Sequence, residues 1–277
     1  MKQSITFVIP VYKKRDLVIQ SLRANLHYFS EFPIIIINDD PENHLPQDLP
    51  RDLADNPQIT WLNNVENLGF GKTVNRAMKT VQTDYAILLN SDVFLCDTSW
   101  IAAPTYMDSH PNVAAIGFAQ REKTDGPLIG RNAIYFSRGL FHHRGLTVAP
   151  EEEHGDRYLS TAWAEGGSSI FRMTTWKTLG GFDERFSPFY WEDVDYGFTA
   201  SKHDLKTEFA PHIVVNHRHE STIGSFYDRD AIQKIAFRHQ IVFTQKHANV
   251  WQSILFMVHA GIRRFRTLGM TSSQQQQ

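Results

Sequence analysis

The sequence predicts an α/β fold: a Rossmann-like, mostly parallel central sheet flanked by helices, with a helical extension at the C-terminal end. Two observations carry that expectation. Short apolar runs rich in β-branched residues alternate with segments of helical hydrophobic spacing, and the runs stop abruptly at Pro, Asn or Asp. The composition, 42% hydrophobic and 21% charged over 277 residues, suits a chain that buries a sizeable core.

Ile5 to Val11 is the first apolar run and reads as a buried strand that stops at a loop, with Pro10 near its end. Asp16 to Phe29 carries Leu17, Val18, Leu22, Leu26 and Phe29 at helical spacing. The four isoleucines Ile34 to Ile37 are the strongest strand signal, ended by Asn38-Asp39-Asp40-Pro41. Strand, helix and strand in this order predict a parallel pair with a right-handed crossover. The pattern repeats with a strand at Ile59 to Leu62, a helix at Gly71 to Val81 and a strand at Tyr85 to Leu89, which ends at Asn90-Ser91-Asp92.

From Arg121 to Tyr158 the chain is less regular, with scattered Gly, Pro, Arg and His and the acids Glu151 to Glu153. It reads as loops and short strands that could form a lid. Order returns from Ala162 to Arg172. Thr174 to Leu179 predicts a short helix closed by Gly180-Gly181, and a longer helix starts near Glu192 and continues to about Lys202. The expected division is one domain over 1–225 and a helical extension over 226–277, with a basic end and a disordered polar tail from Thr271 to Gln277.

A formal net charge of -2 supplies no global attraction to nucleic acid, which is not expected as a partner. The single cysteine, Cys96, excludes an intramolecular disulfide; it suits a reducing cytoplasm and reads as a buried, inert thiol. The N-terminal residues lack the pattern of a secretory signal, and no window reaches the ~18 apolar residues of a membrane span. Ile254 to Ile262 comes nearest, interrupted by His259 and followed by Arg263, Arg264 and Arg266. Two readings stay open for it: peripheral contact with an anionic membrane surface, or a terminal helix packed on its own domain.

In open parallel sheets, ligands gather beyond the carboxyl ends of the strands. Three expected strand ends carry Pro10-Val11-Tyr12, Asp39-Asp40 and Asp92. A carboxylate at Asp92 suits a hard divalent cation that keeps positions open for phosphate oxygens, although an aspartate after a strand equally forms turns and caps. Asn67-Leu-Gly-Phe-Gly-Lys-Thr-Val-Asn75 sets two glycines before a helix, where backbone N–H groups could approach a phosphate. It matches neither the P-loop nor the dinucleotide fingerprint.

Glu192, Asp193 and Asp195 open a helix beside Phe186, Phe189, Tyr190 and Trp191. Acids in a first turn serve the helix dipole. Aromatic faces beside carboxylates also suit a sugar, with one carboxylate as general base. His217 and His219 follow the strand-like Ile213 to Val215, and a single cysteine makes a thiolate-rich zinc site impossible.

Taken in order, several segments resemble family 2 of the inverting glycosyltransferases, which has the GT-A fold. They are Val8-Ile-Pro-Val-Tyr12, Ile37-Asn-Asp-Asp40, Asn67-Leu-Gly-Phe-Gly71 with Asn75, Leu88-Leu-Asn-Ser-Asp-Val93, Gly180-Gly-Phe-Asp-Glu184, Trp191-Glu-Asp-Val-Asp195, and His217 with Ser221. The resemblance spans residues 5 to about 225, and the rhamnosyltransferase-like bacterial branch, with its Asn-x-Asp metal motif, looks most similar. It implies a nucleotide-sugar donor, a glycan or glycolipid acceptor, a divalent metal (Mn²⁺ or Mg²⁺) and work in bacterial surface polysaccharide or glycoconjugate synthesis.

By position, the resemblance implies that Pro10, Val11 and Tyr12 line the nucleotide pocket and that Asp39 or Asp40 accepts a hydrogen bond from the base. Asn67, Gly69 and Asn75 would shape the nucleoside side. Asp92 would bind the metal, with His217 or His219 completing its shell. Gly166 and Gly167 would lie where sugar and acceptor meet. Asp193 would be the catalytic base, with Glu192 and Trp191 shaping the acceptor site.

The chain departs from the family pattern at Asn38-Asp39-Asp40-Pro41, where Asp-Gly-Ser or Asp-Asn-Gly is usual, and at Asn90, where many members have aspartate. Thr199, Ala200 and Ser201 stand where an arginine is common. A nucleotidyltransferase would need a glycine-rich basic loop after the first strand, where this chain has Tyr12-Lys-Lys-Arg15. A non-catalytic nucleotide- or carbohydrate-binding module would have no use for Asp92 and Asp193 together.

Overall fold

A computed structural model describes residues 4–260 of the chain, apart from 30, 124–125, 154 and 218–221. Its first half is the expected repeat: β1 (Ile5–Val11), α1 (Arg15–Phe29), β2 (Ile34–Asn38), α2 (Arg51–Ala54), β3 (Ile59–Asn63), α3 (Phe70–Met78) and β4 (Tyr85–Leu89). These strands pair in parallel in the order β3-β2-β1-β4. Ile34 and Ile36 pack in one cluster with Val18, Leu22 and Phe29 of α1. Ile35 and Ile37 pack in another with Val74, Ala77 and Met78 of α3. A run of four isoleucines is therefore what a strand covered by helices on both faces requires.

The second half departs from a simple repeat. It contains β5 (Val93–Leu95), a 3₁₀ turn at Ser99–Ile101, α4 (Ala102–Ser109) and β6 (Val113–Arg121). There follow a hairpin of β7 (Asn132–Ser137) and β8 (Leu140–Gly145), a short α5 (Pro150–Glu153), β9 (Leu159–Ser160), β10 (Ser168–Arg172) and α6 (Met173–Leu179). Then come α7 (Glu192–Lys202), β11 (Lys206–His217), α8 (Thr222–Phe226) and α9 (Arg229–His247), with a further helix over 250–260. The main sheet continues β4-β10-β6-β11-β5, with β10 antiparallel to both neighbours and β6 parallel to β11.

Two differences from the sequence reading have physical causes, and one irregular segment holds the short strands expected of it. β6 is a buried central strand, but Ala114, Ala115, Gly117 and Ala119 give it little β-forming signal. β11 runs far beyond Ile213 to Val215; Pro211 and a register shift between Ala210 and Val214 interrupt its alternation. Arg121 to Tyr158 holds an ordered hairpin, and its Phe141 packs against Phe243 of α9 at 5.5 Å between ring centroids.

The helical extension is docked on the domain by apolar contact and by charge. Trp191, Val194, Phe141, Phe186 and Phe243 share one buried cluster. Asp195 of α7 accepts from Lys246 Nζ and pairs with His247 Nε2, both at 2.7 Å. Cys96 is half-buried, and burial raises its thiol pKa. The expected basic cluster Arg263, Arg264 and Arg266, the polar tail, His219 and Ser221 all lie outside the described residues.

Candidate active site

The carboxyl ends of β1, β2 and β4 meet the loop before β10 and the first turn of α7 around a cleft of about 350 Å³. Pro10, Val11, Tyr12, Asp39, Asn67 and Gly69 line one end. Asp92 and His217, with Gly166, Gly167, Glu192 and Asp193, line the rest. The three strand ends converge because parallel strands place all their carboxyl termini on one edge.

At the first end, Asp39 is buried, and its carboxylate gathers the loop that precedes α3. Oδ1 accepts from Leu68 N–H at 2.8 Å and Asn64 Nδ2 at 2.7 Å, and Oδ2 accepts from Gly69 N–H at 2.9 Å. Gly69 has φ +80°, and a Cβ there would lie 2.6 Å from the Pro188 carbonyl oxygen, so the position requires glycine. Phe70 N–H donates to that same carbonyl at 2.7 Å.

These bonds correct one expectation. The amides of Gly69 and Phe70 are spent inside the protein, on Asp39 and Pro188, and are not aimed at a phosphate.

Two residues expected here stand elsewhere. Asp40 is a turn former: Oδ1 accepts from Glu42 N–H and Oδ2 from Asn43 Nδ2, outside the cleft wall. Asn75 exchanges bonds with the Phe182 backbone, donating to its carbonyl at 2.7 Å and accepting from its N–H at 2.9 Å. It fastens α3 to the Gly180-Gly181 turn, which explains its place in the motif as a structural one.

At the floor of the cleft, His217 Nε2 lies 3.1 Å from Asp92 Oδ1. Gln120 Nε2 donates to Glu165 Oε2 at 2.6 Å and to Ser168 Oγ at 2.9 Å, which turns its Oε1 toward His217 Nδ1 at 2.7 Å. Nδ1 is thereby placed to donate to Oε1, and Nε2 faces a carboxylate oxygen, an arrangement that a proton or a cation between the two would stabilise.

Among the described residues no group of three or more His, Cys, Asp or Glu side chains gathers as a metal site. One carboxylate and one imidazole fit a cation that takes its other ligands from substrate oxygens, not one caged by protein alone.

At the acceptor end, Asp193 Oδ2 accepts from Gly166 N–H at 3.1 Å and Oδ1 from Val194 N–H at 2.8 Å. Burial pushes its pKa up to about 6; the Gly166 bond opposes that and the charge of Glu165 adds to it. Glu192 is raised well above the ordinary carboxylate range by burial and by the charge of Asp193, and its Oε2 is buried without a hydrogen-bond partner. Gly167 leaves room for Asn90, whose Nδ2 would lie 2.6 Å from a Cβ there.

The aromatic stretch divides. Phe186, Phe189 and Trp191 are buried, and of the four only Tyr190 is exposed. Phe189 and Tyr190 line the cleft, whereas Trp191 turns into the cluster with Phe243, 4.9 Å between ring centroids. Tyr190 and Trp191 both have positive φ, 71° and 79°, a strained backbone just before the acids.

Gln120 and Glu165 are among the lining residues that sequence reasoning missed, with Thr73, Pro188 and Tyr227. Gln120 is the next-to-last residue of the unrecognised β6; Glu165 adjoins Gly166-Gly167, a signal that was present but unread.

The model of the family described as "Glycosyltransferase like family 2" matches residues 2–231. The N-acetylglucosaminyl-diphospho-decaprenol L-rhamnosyltransferase of Mycobacterium tuberculosis is 25% identical over 248 residues, covering 76% of this chain and 79% of that protein.

Two solved structures share the fold. GalNAc-T7 with UDP, GalNAc and Mn²⁺ superposes with a TM-score of 0.62 at 12% identity, over 78% of this chain and 44% of that one. The mannosyltransferase PcManGT of Pyrobaculum calidifontis, in complex with GDP-Man and Mn²⁺, gives 0.58 at 14% identity, over 99% and 80%. With its mixed sheet, its cleft at the strand ends and this match over most of its length, the chain belongs to glycosyltransferase family 2 and has the GT-A fold.

Proposed function

We propose that the chain moves a sugar from a nucleotide-diphosphate donor to a hydroxyl of a glycan or glycolipid acceptor, inverting the anomeric centre, in bacterial surface polysaccharide or glycoconjugate synthesis. One observation carries the reading: Asp39, Asp92 and Asp193, from distant parts of the chain, face a single cleft. The named acceptor chemistry of the mycobacterial relative supports a glycolipid acceptor. The proposed location is the cytoplasm, with peripheral contact at the inner face of the membrane.

Pro10, Val11, Tyr12, Asn67 and Gly69 would hold the nucleoside, and Asp39, already fixed by three donors, would present its remaining lone pairs to the base. Asp92 and His217 would hold Mn²⁺ or Mg²⁺, which when bound offsets the charge of the leaving diphosphate. Gly166 and Gly167 would leave space for the reacting sugar, and Glu192 would border the acceptor.

Asp193 would take the acceptor proton as that oxygen attacks the anomeric carbon from the face opposite the diphosphate. A single displacement inverts the centre. General-base catalysis of this kind contributes roughly 10²–10⁴ in rate.

The test is a thermal-shift screen of nucleotide sugars with and without Mn²⁺, followed by assignment of the product anomer by NMR. A donor that raises the melting temperature and yields an inverted glycoside supports the proposal. Retention of configuration, or no shift with any nucleotide sugar, would overturn it.

A further inference from the structure

Helix 250–260 turns its apolar side chains away from the protein. Val250 and Trp251 are each 76% exposed and Met257 is 63% exposed, with Ile254, Leu255 and Val258 exposed beside them. At 3.6 residues per turn these six side chains fall within one arc of about 160°. Phe256 and His259 occupy the opposite side, against the turn between β7 and β8. A Cβ built on Gly139 of that turn would lie 3.1 Å from both Phe256 Cα and His259 Cβ. The helix thus rests on the domain by the side that lacks the six, the reverse of an ordinary surface helix.

The sequence beside this helix carries charge of one sign. After Asp230 the sequence contains no Asp or Glu and six Lys or Arg, among them Arg263, Arg264 and Arg266 directly beyond the helix. Arg138, which precedes Gly139, is exposed at the turn on which the helix rests.

We infer that this face is a docking surface for an anionic lipid bilayer. Trp251, Met257 and their neighbours enter the boundary between headgroups and acyl chains, and the basic sequence that follows the helix adds attraction to anionic headgroups. The helix rises about 16 Å, too short for a hydrocarbon core of ~30 Å, so the contact is interfacial. Among the described residues no helix is long and apolar enough to cross a membrane. A second copy of the chain is the poorer occupant, because two stretches of the same positive charge repel, whereas an anionic surface attracts them. This inference rests on the proposed peripheral placement and not on the transfer chemistry.

The experiment is sedimentation of the full chain with vesicles of phosphatidylglycerol or of phosphatidylcholine, with brominated lipid to quench tryptophan. Binding should favour the phosphatidylglycerol vesicles by at least about tenfold and weaken with added salt. W251F should lose most of the quenching. W251E/M257E, which changes only exposed positions, should lose at least about tenfold in binding while keeping its melting temperature; R263S/R264S/R266S should lose the preference for phosphatidylglycerol.

Equal binding by wild type and W251E/M257E would overturn the inference. So would a dimer in solution that W251E/M257E converts to monomer without any vesicle binding by wild type. Transfer to a water-soluble acceptor, measured separately, distinguishes failure here from failure of the glycosyltransferase reading.

Discussion

Gly166 donates its backbone N–H to Oδ2 of Asp193 at 3.1 Å, tying the loop ahead of β10 to the first turn of α7. With Val194 N–H on Oδ1, the carboxylate is held from both ends. A Cβ on Gly166 would come within 3.0 Å of Phe70 Cε1, so the loop approaches closely only as glycine. Asp193→Asn keeps the size but loses the base. Transfer should fall by roughly 10²–10⁴, while the donor-induced thermal shift survives. Turnover near that of wild type would remove Asp193 from the mechanism.

The pH dependence follows from the same site. Burial, with the charge of Glu165, pushes Asp193 up to about 6 against the Gly166 bond, from an ordinary value of 3.8. The free enzyme's kcat/KM should rise about tenfold per pH unit toward pH 6 and level above it. Stability runs the other way. The folded chain keeps a proton on Asp193 that the unfolded chain has lost, so stability present below 3.8 is lost as pH rises through 6. The stability of Asp193→Asn relative to wild type should therefore increase by about 2 kcal/mol between pH 4 and pH 8, read from urea midpoints. A pH-independent difference would mean that the carboxyl titrates normally.

Gln120 Oε1 lies 2.7 Å from His217 Nδ1 and so orients the ring whose Nε2 faces Asp92. Asp92→Ala should abolish the Mn²⁺-dependent part of the donor thermal shift. Gln120→Leu removes the acceptor at Nδ1 and should weaken Mn²⁺ by roughly 10- to 100-fold, the usual cost of losing a histidine's outer partner. Metal titrations followed by thermal shift check both, and an unchanged Mn²⁺ midpoint in Gln120→Leu would separate Gln120 from the cation.

Much of this was legible in the sequence where local signals and global fold agree. β1, β2 and β4 are continuous apolar runs, and their ends, Val11, Asp39 and Asp92, arrive together because parallel strands share an edge. β10 was not legible as antiparallel, since alternation says nothing of strand direction. Asp40, Asn75 and Trp191 sit inside motifs whose neighbours line the cleft, yet their side chains point to a turn, to the Phe182 backbone and to Phe243. Adjacent residues share a motif without sharing a direction. Gln120 escaped notice because its role depends on His217, 97 positions away.

Asp195 closes the Glu-Asp-x-Asp motif but works on the far side of α7 from the cleft. It is 2% exposed, with His247 Nε2 on Oδ1 and Lys246 Nζ on Oδ2, while Lys246 also reaches Asp183 at 2.7 Å. The motif's last acid therefore anchors α9, and α9 in turn backs Trp191 and the first turn that carries Asp193. Removing Asp195 leaves His247 Nε2 without this partner and Lys246 with Asp183 alone, a loss of buried hydrogen bonding that costs about 1–3 kcal/mol. Asp195→Ala should lose about that much stability in urea unfolding. Asp195→Ala with Lys246→Ala should lose less than the two singles added, because they remove one shared interaction. Strict additivity would show that Asp195 and Lys246 act independently and that the contact in the fold is incidental.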